Sequence, residues 1–163
     1  MTGAPDALAF AVRALLDLRG ADGLWGAFLM PPGESRDWVG AVAGLALAEA
    51  SVCAHLPLPL RRSAGQAAAG ALAVLLGHAG SWGYNDEAGP DADSTAAVVR
   101  LALALGVAPP ASAVGFLARH GTPEDGYATY LPQRIWDRWT LPTTEVDCAA
   151  AVALARAGRL TPA

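Results

Sequence analysis

Three apolar segments of this 163-residue chain recur at a nearly constant interval, and this repeat restricts the fold more than any other feature. Each segment follows an aspartate, and the three aspartates lie 56 and 54 residues apart: Asp37, Asp93 and Asp147. The segments themselves are apolar on every side and span residues 39–48, 96–105 and 148–157. A helix that is apolar all round is enclosed by protein. The sequence therefore predicts three enclosed inner helices.

An amphipathic segment precedes each inner helix. Its apolar residues recur at helical spacing and leave one polar face, as at Leu8, Val12, Leu15 and Leu16, at Ala68, Leu72, Leu75 and Leu76, and at Val114 and Leu117. A period near 50 residues with two helices per unit is typical of an α/α solenoid or toroid. We expect an all-α fold of six main helices, three outer and three inner, in one domain over residues 1–163. The three α/α hairpins are expected at about 4–55, 61–106 and 110–158.

The charge pattern excludes one class of partner. Only 16% of the residues are charged, the net charge is −4, and all eleven basic residues are arginines, so no basic stripe is available for nucleic acid. No segment is expected to span a membrane, because the longest uncharged stretch is rich in Ala and Gly. With only Cys53 and Cys148 as cysteines, we expect a cytoplasmic protein in which both are buried thiols.

Turns rich in glycine and aromatic residues lie between the outer and inner helices. Residues 80–85 (Gly-Ser-Trp-Gly-Tyr-Asn), followed by residues 90–96 (Pro-Asp-Ala-Asp-Ser-Thr-Ala), resemble the repeat unit of the prenyltransferase/squalene cyclase superfamily. Residues 125–130 (Asp-Gly-Tyr-Ala-Thr-Tyr) resemble a further unit. The resemblance implies half of an (α/α)6 toroid, since members commonly form rings of six hairpins. The open flanks of a half-ring predict a homodimer or a docked partner subunit.

Nearly all aromatic residues lie in these loops, and the loops share one face of the helix array. A concave aromatic lining can hold an isoprenoid chain or stabilise a carbocation. The candidate substrate-binding aromatic residues are Trp25, Trp38, Trp82, Tyr84, Tyr127, Tyr130, Trp136 and Trp139. The alternative for Trp25 and Trp82 is a structural role, because such turns tie repeats together in this superfamily.

Two carboxylates, Asp91 and Asp93, precede and begin the second inner helix. Class II terpene cyclases carry an Asp-x-Asp-Asp motif whose middle Asp protonates an alkene or epoxide. The resemblance places Asp93 at that position and Asp91 at the first, while Ser94 stands where the last Asp is expected. Burial and a like-charged neighbour would keep such a carboxyl protonated. The alternative is that Asp93, like Asp37 and Asp147, is a helix cap.

No metal and no cofactor are expected. Protein prenyltransferase β subunits, the other branch of the superfamily, use an Asp-x-Cys pair and a His around zinc, whereas here Asp147 directly precedes Cys148 and no His follows. Arg36 and Arg134 lie on the aromatic face, where they could bind a diphosphate or carboxylate of the substrate or pair with nearby aspartates.

These features predict a terpene cyclase-like enzyme that promotes cyclisation of an isoprenoid or another polyunsaturated apolar molecule by Asp-mediated protonation. The alternative is a non-catalytic α/α-repeat module that binds an apolar ligand or a partner subunit through the same aromatic face.

Overall fold

The computed structural model describes residues 4–30, 33–77, 80–85, 87–122, 126–130 and 140–159. These residues form six helices: α1 (Ala4–Asp17), α2 (Asp37–Val52), α3 (Leu58–Leu76), α4 (Ala92–Ala104), α5 (Ala111–His120) and α6 (Thr144–Arg156). Four short strands lie in the connections: β1 (Ala27–Met30), β2 (Gly33–Ser35), β3 (Gly121–Thr122) and β4 (Gly126–Tyr127). They pair as two antiparallel two-stranded ribbons, β1 with β2 and β3 with β4.

The helices pack as the repeat pattern predicts. The inner helices pack side by side, α2 on α4 and α4 on α6. In the outer layer, α1 packs on α3. Small residues allow the layers to approach closely: a Cβ added at Gly44 of α2 would lie 2.9 Å from Leu101 Cδ2 of α4 and 3.6 Å from Ala71 Cβ of α3. The predicted all-α architecture is therefore confirmed, with helices in two layers.

Backbone hydrogen bonds join the loops at one end of the array. Arg36 N donates to Tyr84 O at 3.1 Å, Asp91 N to Trp82 O at 2.9 Å, and Ala92 N to Thr129 O at 2.9 Å. These bonds connect the loop before α2, the loop before α4 and the loop after β4. The aromatic-bearing loops thus form one continuous face at the N-terminal ends of the inner helices, which we call the loop face.

The inner helices are not equally enclosed. Nine of the thirteen residues of α4 are buried, whereas only four of the thirteen in α6 are buried. Because α6 ends the array, nothing described here packs on its outer side, and Cys148 is exposed there. The expectation of two buried thiols is wrong for Cys148, and Cys53 at the end of α2 is only half-buried. None of the described helices has the length and apolar character needed to cross a membrane.

Candidate functional site

Trp25 and Trp82 belong to the core. Trp25 is 4% exposed and Trp82 is 1% exposed. Trp25 Nε1 donates to Leu15 O at 2.6 Å, and Trp82 Nε1 donates to Leu75 O at 2.8 Å. Each indole thereby satisfies a carbonyl near the C-terminal end of the preceding outer helix, where carbonyls lack helical partners. Of the two roles expected for these residues, the structural one accounts for their contacts, and we place neither on the substrate-binding surface.

The third repeat replaces the tryptophan with a tyrosine. The backbone N–H of Tyr127 donates to Asp147 Oδ1 on α6. Its ring packs so closely on Gly121 that a Cβ there would lie 2.8 Å from Tyr127 Cε1. Tyr127 is half-buried, so part of its surface remains on the loop face.

Asp91 is the N-cap of α4. Its Oδ1 accepts from Ser94 N at 2.7 Å and its Oδ2 accepts from Ser94 Oγ at 2.9 Å. Tyr130 Oη donates to the same Oδ2 over 3.5 Å. This carboxyl is 2% exposed. Ser94, at the position where the last Asp of the cyclase motif is expected, therefore orients Asp91.

Burial raises the pKa of Asp91 from 3.8 to about 7. The hydrogen bonds from Ser94 and from the Tyr84 backbone act in the opposite direction, and the charge of Asp93 raises the pKa further. Loss of hydration disfavours the charged carboxylate more than three donors can compensate. Asp91 thus holds a proton over much of the acidic and neutral range.

Asp93 lies in the first turn of α4 and is not a cap. Its half-buried carboxyl accepts a hydrogen bond from the side chain of Trp38 on α2, and the charges of Arg100 on α4 and Glu145 on α6 act on it. Burial is the main cause that raises the pKa of Asp93, and Glu145 raises it further, whereas Trp38 and Arg100 lower it. Glu145 is thus a second neighbouring carboxylate that raises the proton affinity of Asp93, in addition to Asp91, whose interaction with Asp93 acts on both carboxyls.

The caps that the sequence predicts at the three aligned aspartates are wrong. Helix α2 begins at Asp37 itself, with Arg36 as the N-cap, and α6 begins at Thr144, three residues before Asp147. Asp37, Asp93 and Asp147 all lie in first turns, where a carboxylate favourably meets the positive end of the helix dipole. Of the three N-cap residues Arg36, Asp91 and Thr143, only Asp91 accepts a capping hydrogen bond with its side chain.

Arg36 is engaged at the surface. Its guanidinium forms an ion pair with Asp22, and both side chains are about half exposed. The expected pairing with an aspartate is thus found, although the partner is Asp22 and not the adjacent Asp37. Arg134, Trp136 and Trp139 lie outside the described residues.

The structure brings together one subset of the predicted site. Asp91, Asp93, Trp38, Tyr84 and Tyr130 surround the start of α4. Sequence reasoning assigned no role in the site to Glu145 or Arg100 and did not find that Ser94 holds Asp91. Arg100 is recognisable in the sequence as a candidate, because it is the one charge inside an otherwise apolar helix. Among the described residues, no group of three or more His, Cys, Asp or Glu side chains is placed to hold a metal ion.

No protein-family model matches the sequence, and no curated protein is significantly similar to it. Solved structures do match. An apo Tyr-to-Phe variant of type II terpene cyclase MstE from Scytonema is 27% identical, with a TM-score of 0.76 over 95% of this chain and 47% of that chain. An Asp-to-Asn variant of the same enzyme, in complex with its substrate geranylgeranyl dihydroxybenzoate, is 25% identical, with a TM-score of 0.73 over 94% of this chain and 49% of that chain.

A protein from Actinoplanes has the same fold at 24% identity, with a TM-score of 0.69 over 95% of this chain and 59% of that chain. The chain spans about half the length of the cyclase structures it matches. The resemblance deduced from the repeat is therefore confirmed: this chain has a half-length type II terpene cyclase-like fold, one half of an α/α toroid.

Proposed function

We propose that the protein is a terpene cyclase-like enzyme that binds an isoprenoid or another polyunsaturated apolar molecule at the loop face and starts its cyclisation by protonation from Asp93. One observation carries the proposal. Asp91 caps α4, so Asp93 has no capping role, while burial and Glu145 both raise its pKa. A raised pKa favours the protonated form that a general acid must have in order to donate.

The proposed step transfers the Asp93 proton to a carbon of a substrate double bond. The O–H bond of Asp93 breaks, a C–H bond forms from the π electrons, and a carbocation remains on the other carbon. Neighbouring double bonds then attack that carbocation to form rings, and the final carbocation loses a proton to water. Asp93 regains a proton from solvent, so the substrate is isomerised with no change in atoms.

Aromatic side chains close to Asp93 support this chemistry. Trp38 is half-buried and donates its indole N–H to the Asp93 carboxyl, so its ring lies beside the proposed acid. The Tyr130 hydroxyl donates to Asp91 at the start of α4, and the backbone of Tyr84 bonds to the same carboxyl. The electron-rich face of an aromatic ring attracts a cation by about 0.5–2 kcal/mol. The rings of Trp38 and Tyr130 are suited to stabilise positive charge that develops near the acid.

Substitution of Asp93 by Asn tests the proposal against a matched control. Asp93→Asn removes the transferable proton but keeps a side chain that accepts from Trp38, and Asp37→Asn makes the same change at the aligned position of α2. With squalene and geranylgeranyl dihydroxybenzoate as probes and product detection by mass spectrometry, we expect turnover to fall roughly a hundredfold or more in Asp93→Asn only. Equal activity in both variants and the unsubstituted protein would exclude Asp93 as the acid. Binding without any product would instead favour the non-catalytic module.

The proposal includes a second α/α body, either another copy of this chain or a docked partner subunit. Phe10 on α1 is 72% exposed, and Val42 and Val52 on α2 are 43% and 74% exposed. Contiguous apolar surface usually marks an interface, and we expect the second body to cover these side chains. Sedimentation equilibrium over a wide concentration range measures self-association, and a protein that remains monomeric at the highest concentration would contradict the homodimer.

A further inference from the structure

Arg100 is the only charged residue between Asp93 and the end of α4. Its neighbours in the chain, Val99 and Leu101, are 1% and 0% exposed. When the three inner helices are aligned on their first-turn aspartates, the same position is occupied by Gly44 in α2 and Leu154 in α6, both buried. An arginine therefore replaces a core residue in the middle repeat alone.

The Arg100 guanidinium has an unsatisfied donor. Its Nε atom is buried and has no hydrogen-bond partner within the part of the chain that the structure describes. A buried polar group without a partner destabilises a protein, and the effect is larger for a charged group. Within the described residues this N–H has no acceptor, and an oxygen of a bound ligand would supply one.

Arg100 and Asp93 share one side of α4. They are seven residues apart, which is close to two helical turns and about 10 Å along the axis. Long side chains in a helix lean toward its N-terminus, so the Arg100 guanidinium extends toward the Asp93 end. Its positive charge acts on Asp93 and lowers the pKa of that carboxyl, yet the structure describes no ion pair between them.

We propose that Arg100 binds an anionic head group, a carboxylate or a phosphate, on the isoprenoid that Asp93 protonates. This inference rests on the proposed function and specifies its substrate class. A planar guanidinium presents its N–H groups as a fork that matches two oxygens of a carboxylate or phosphate. The head group lies beside the Arg100 guanidinium, on the side of it that faces Asp93, and the double bond that receives the proton lies at the start of the helix.

Head-group binding also affects the acid. Arg100 lowers the pKa of Asp93 in the free protein. An anion paired with the guanidinium cancels most of this influence, because opposite charges at contact distance offset each other's field. The pKa of Asp93 then rises, and the carboxyl holds its proton more firmly when an anionic substrate is in place than when the site is empty.

The test compares two probes that differ only in their head group. Geranylgeranoic acid carries a carboxylate and geranylgeraniol a neutral hydroxyl on otherwise similar chains. Their dissociation constants are measured by tryptophan fluorescence and calorimetry on the unsubstituted protein, on Arg100→Met and on Arg62→Met. Methionine retains the apolar stem of arginine without its charge, and Arg62 is an exposed residue of the outer helix α3.

We expect the unsubstituted protein and Arg62→Met to bind the acid about 10- to 100-fold more tightly than the alcohol, the range typical of a hydrogen bond to a charged group. Arg100→Met should bind both equally, with affinity for the alcohol unchanged. Its melting temperature should stay the same or rise, because an unsatisfied buried donor is removed. Geranylgeranyl diphosphate in a parallel titration distinguishes a phosphate from a carboxylate preference.

Two results overturn the inference. If Arg100→Met retains the preference for the acid and melts at a lower temperature, Arg100 is a structural residue. If the unsubstituted protein binds both probes with equal affinity, the site has no anion-binding group, although the proposed isoprenoid binding survives. If neither acid, alcohol nor diphosphate binds, the proposed function itself fails and this inference with it.

Discussion

The middle repeat, formed by α3 and α4, is enclosed on both sides, whereas the first and third repeats each have one open side. Helix α4 packs against α2, α5 and α6, while α6 has few buried residues and carries the exposed Cys148. The most buried carboxyl of the described residues, Asp91, thus lies where neighbouring repeats exclude water from it. Burial raises the pKa of Asp91 and Asp93 there, so enclosure by adjacent repeats supplies the physical condition for acid chemistry.

The starts of the inner helices show the same difference at the level of single residues. Two positions before the aligned aspartates stand Ser35, Asp91 and Glu145. Only Asp91 caps its helix, while Ser35 is buried with an unsatisfied hydroxyl and Glu145 is exposed in the first turn of α6. The middle repeat is therefore the one in which the residue at this preceding position is a carboxylate that caps the helix.

The largest expected decrease in stability follows from loss of the core tryptophan of the middle repeat. Trp82→Ala creates a cavity and removes the indole N–H that donates to Leu75 O. The free energy of unfolding should therefore fall by about 3–5 kcal/mol. Trp25→Ala removes the equivalent contact in the first repeat, where the Leu15 carbonyl is only partly buried. For Trp25→Ala we therefore expect a smaller decrease in the free energy of unfolding. Urea denaturation monitored by circular dichroism measures both variants. Equal decreases for both would contradict the difference in enclosure.

The next effect is the pH dependence of stability, which Asp91 controls. The carboxyl has a pKa of about 7 in the folded state against 3.8 as the unperturbed value. The folded protein thus binds a proton that the unfolded chain releases, so this contribution to stability is fully present below about pH 3.8 and is lost as pH rises through about 7. The difference corresponds to at most about 4 kcal/mol.

Asp91→Asn tests that contribution, since Asn also caps helices. Unfolding free energies measured from pH 4 to pH 8 should fall more steeply for the unsubstituted protein than for Asp91→Asn. Parallel curves would show that Asp91 is ionised in the folded protein at all these pH values. Asp147→Asn at the start of α6 is the matched control, and its curve should follow that of the unsubstituted protein.

Much of the architecture is predictable from sequence because it depends on periodicity. The register at Asp37, Asp93 and Asp147 locates the three inner helices, and the amphipathic pattern locates the outer ones. The start of α6 predicted at Asp147 is wrong by three residues, because the helix begins at Thr144, where Pro142 and Thr143 precede an acidic first turn. Short ribbons such as β1 with β2 depend on pairing between loops, and their strands are too short to show a recognisable sequence pattern.

The candidate site is less predictable, since roles depend on three-dimensional neighbours. The aspartate pair at the start of α4 can be found from the motif, but which member caps the helix depends on where the first turn begins. Glu145 and Trp38 reach Asp93 from α6 and α2, and no sequence spacing encodes that contact. Trp25 and Trp82 look like ligand-binding residues by composition, and their hydrogen bonds to helix carbonyls reveal a packing role instead.

The smallest predicted effect separates the two aspartates of the middle repeat. Asp91→Ala removes the acceptor for Ser94 N and should lower the unfolding free energy by about 0.5–2 kcal/mol, the usual range for a lost cap. Asp93→Ala loses the hydrogen bond from Trp38 but also removes a carboxyl that is unfavourably buried. These two contributions oppose each other, so we expect a change within about 0.5 kcal/mol. Denaturant titration at pH 5, where Asp91 is protonated, measures both variants without interference from its ionisation. A larger decrease for Asp93→Ala than for Asp91→Ala would mean that Asp93 stabilises the start of α4 after all, and the case for Asp93 as a free acid would lose its basis.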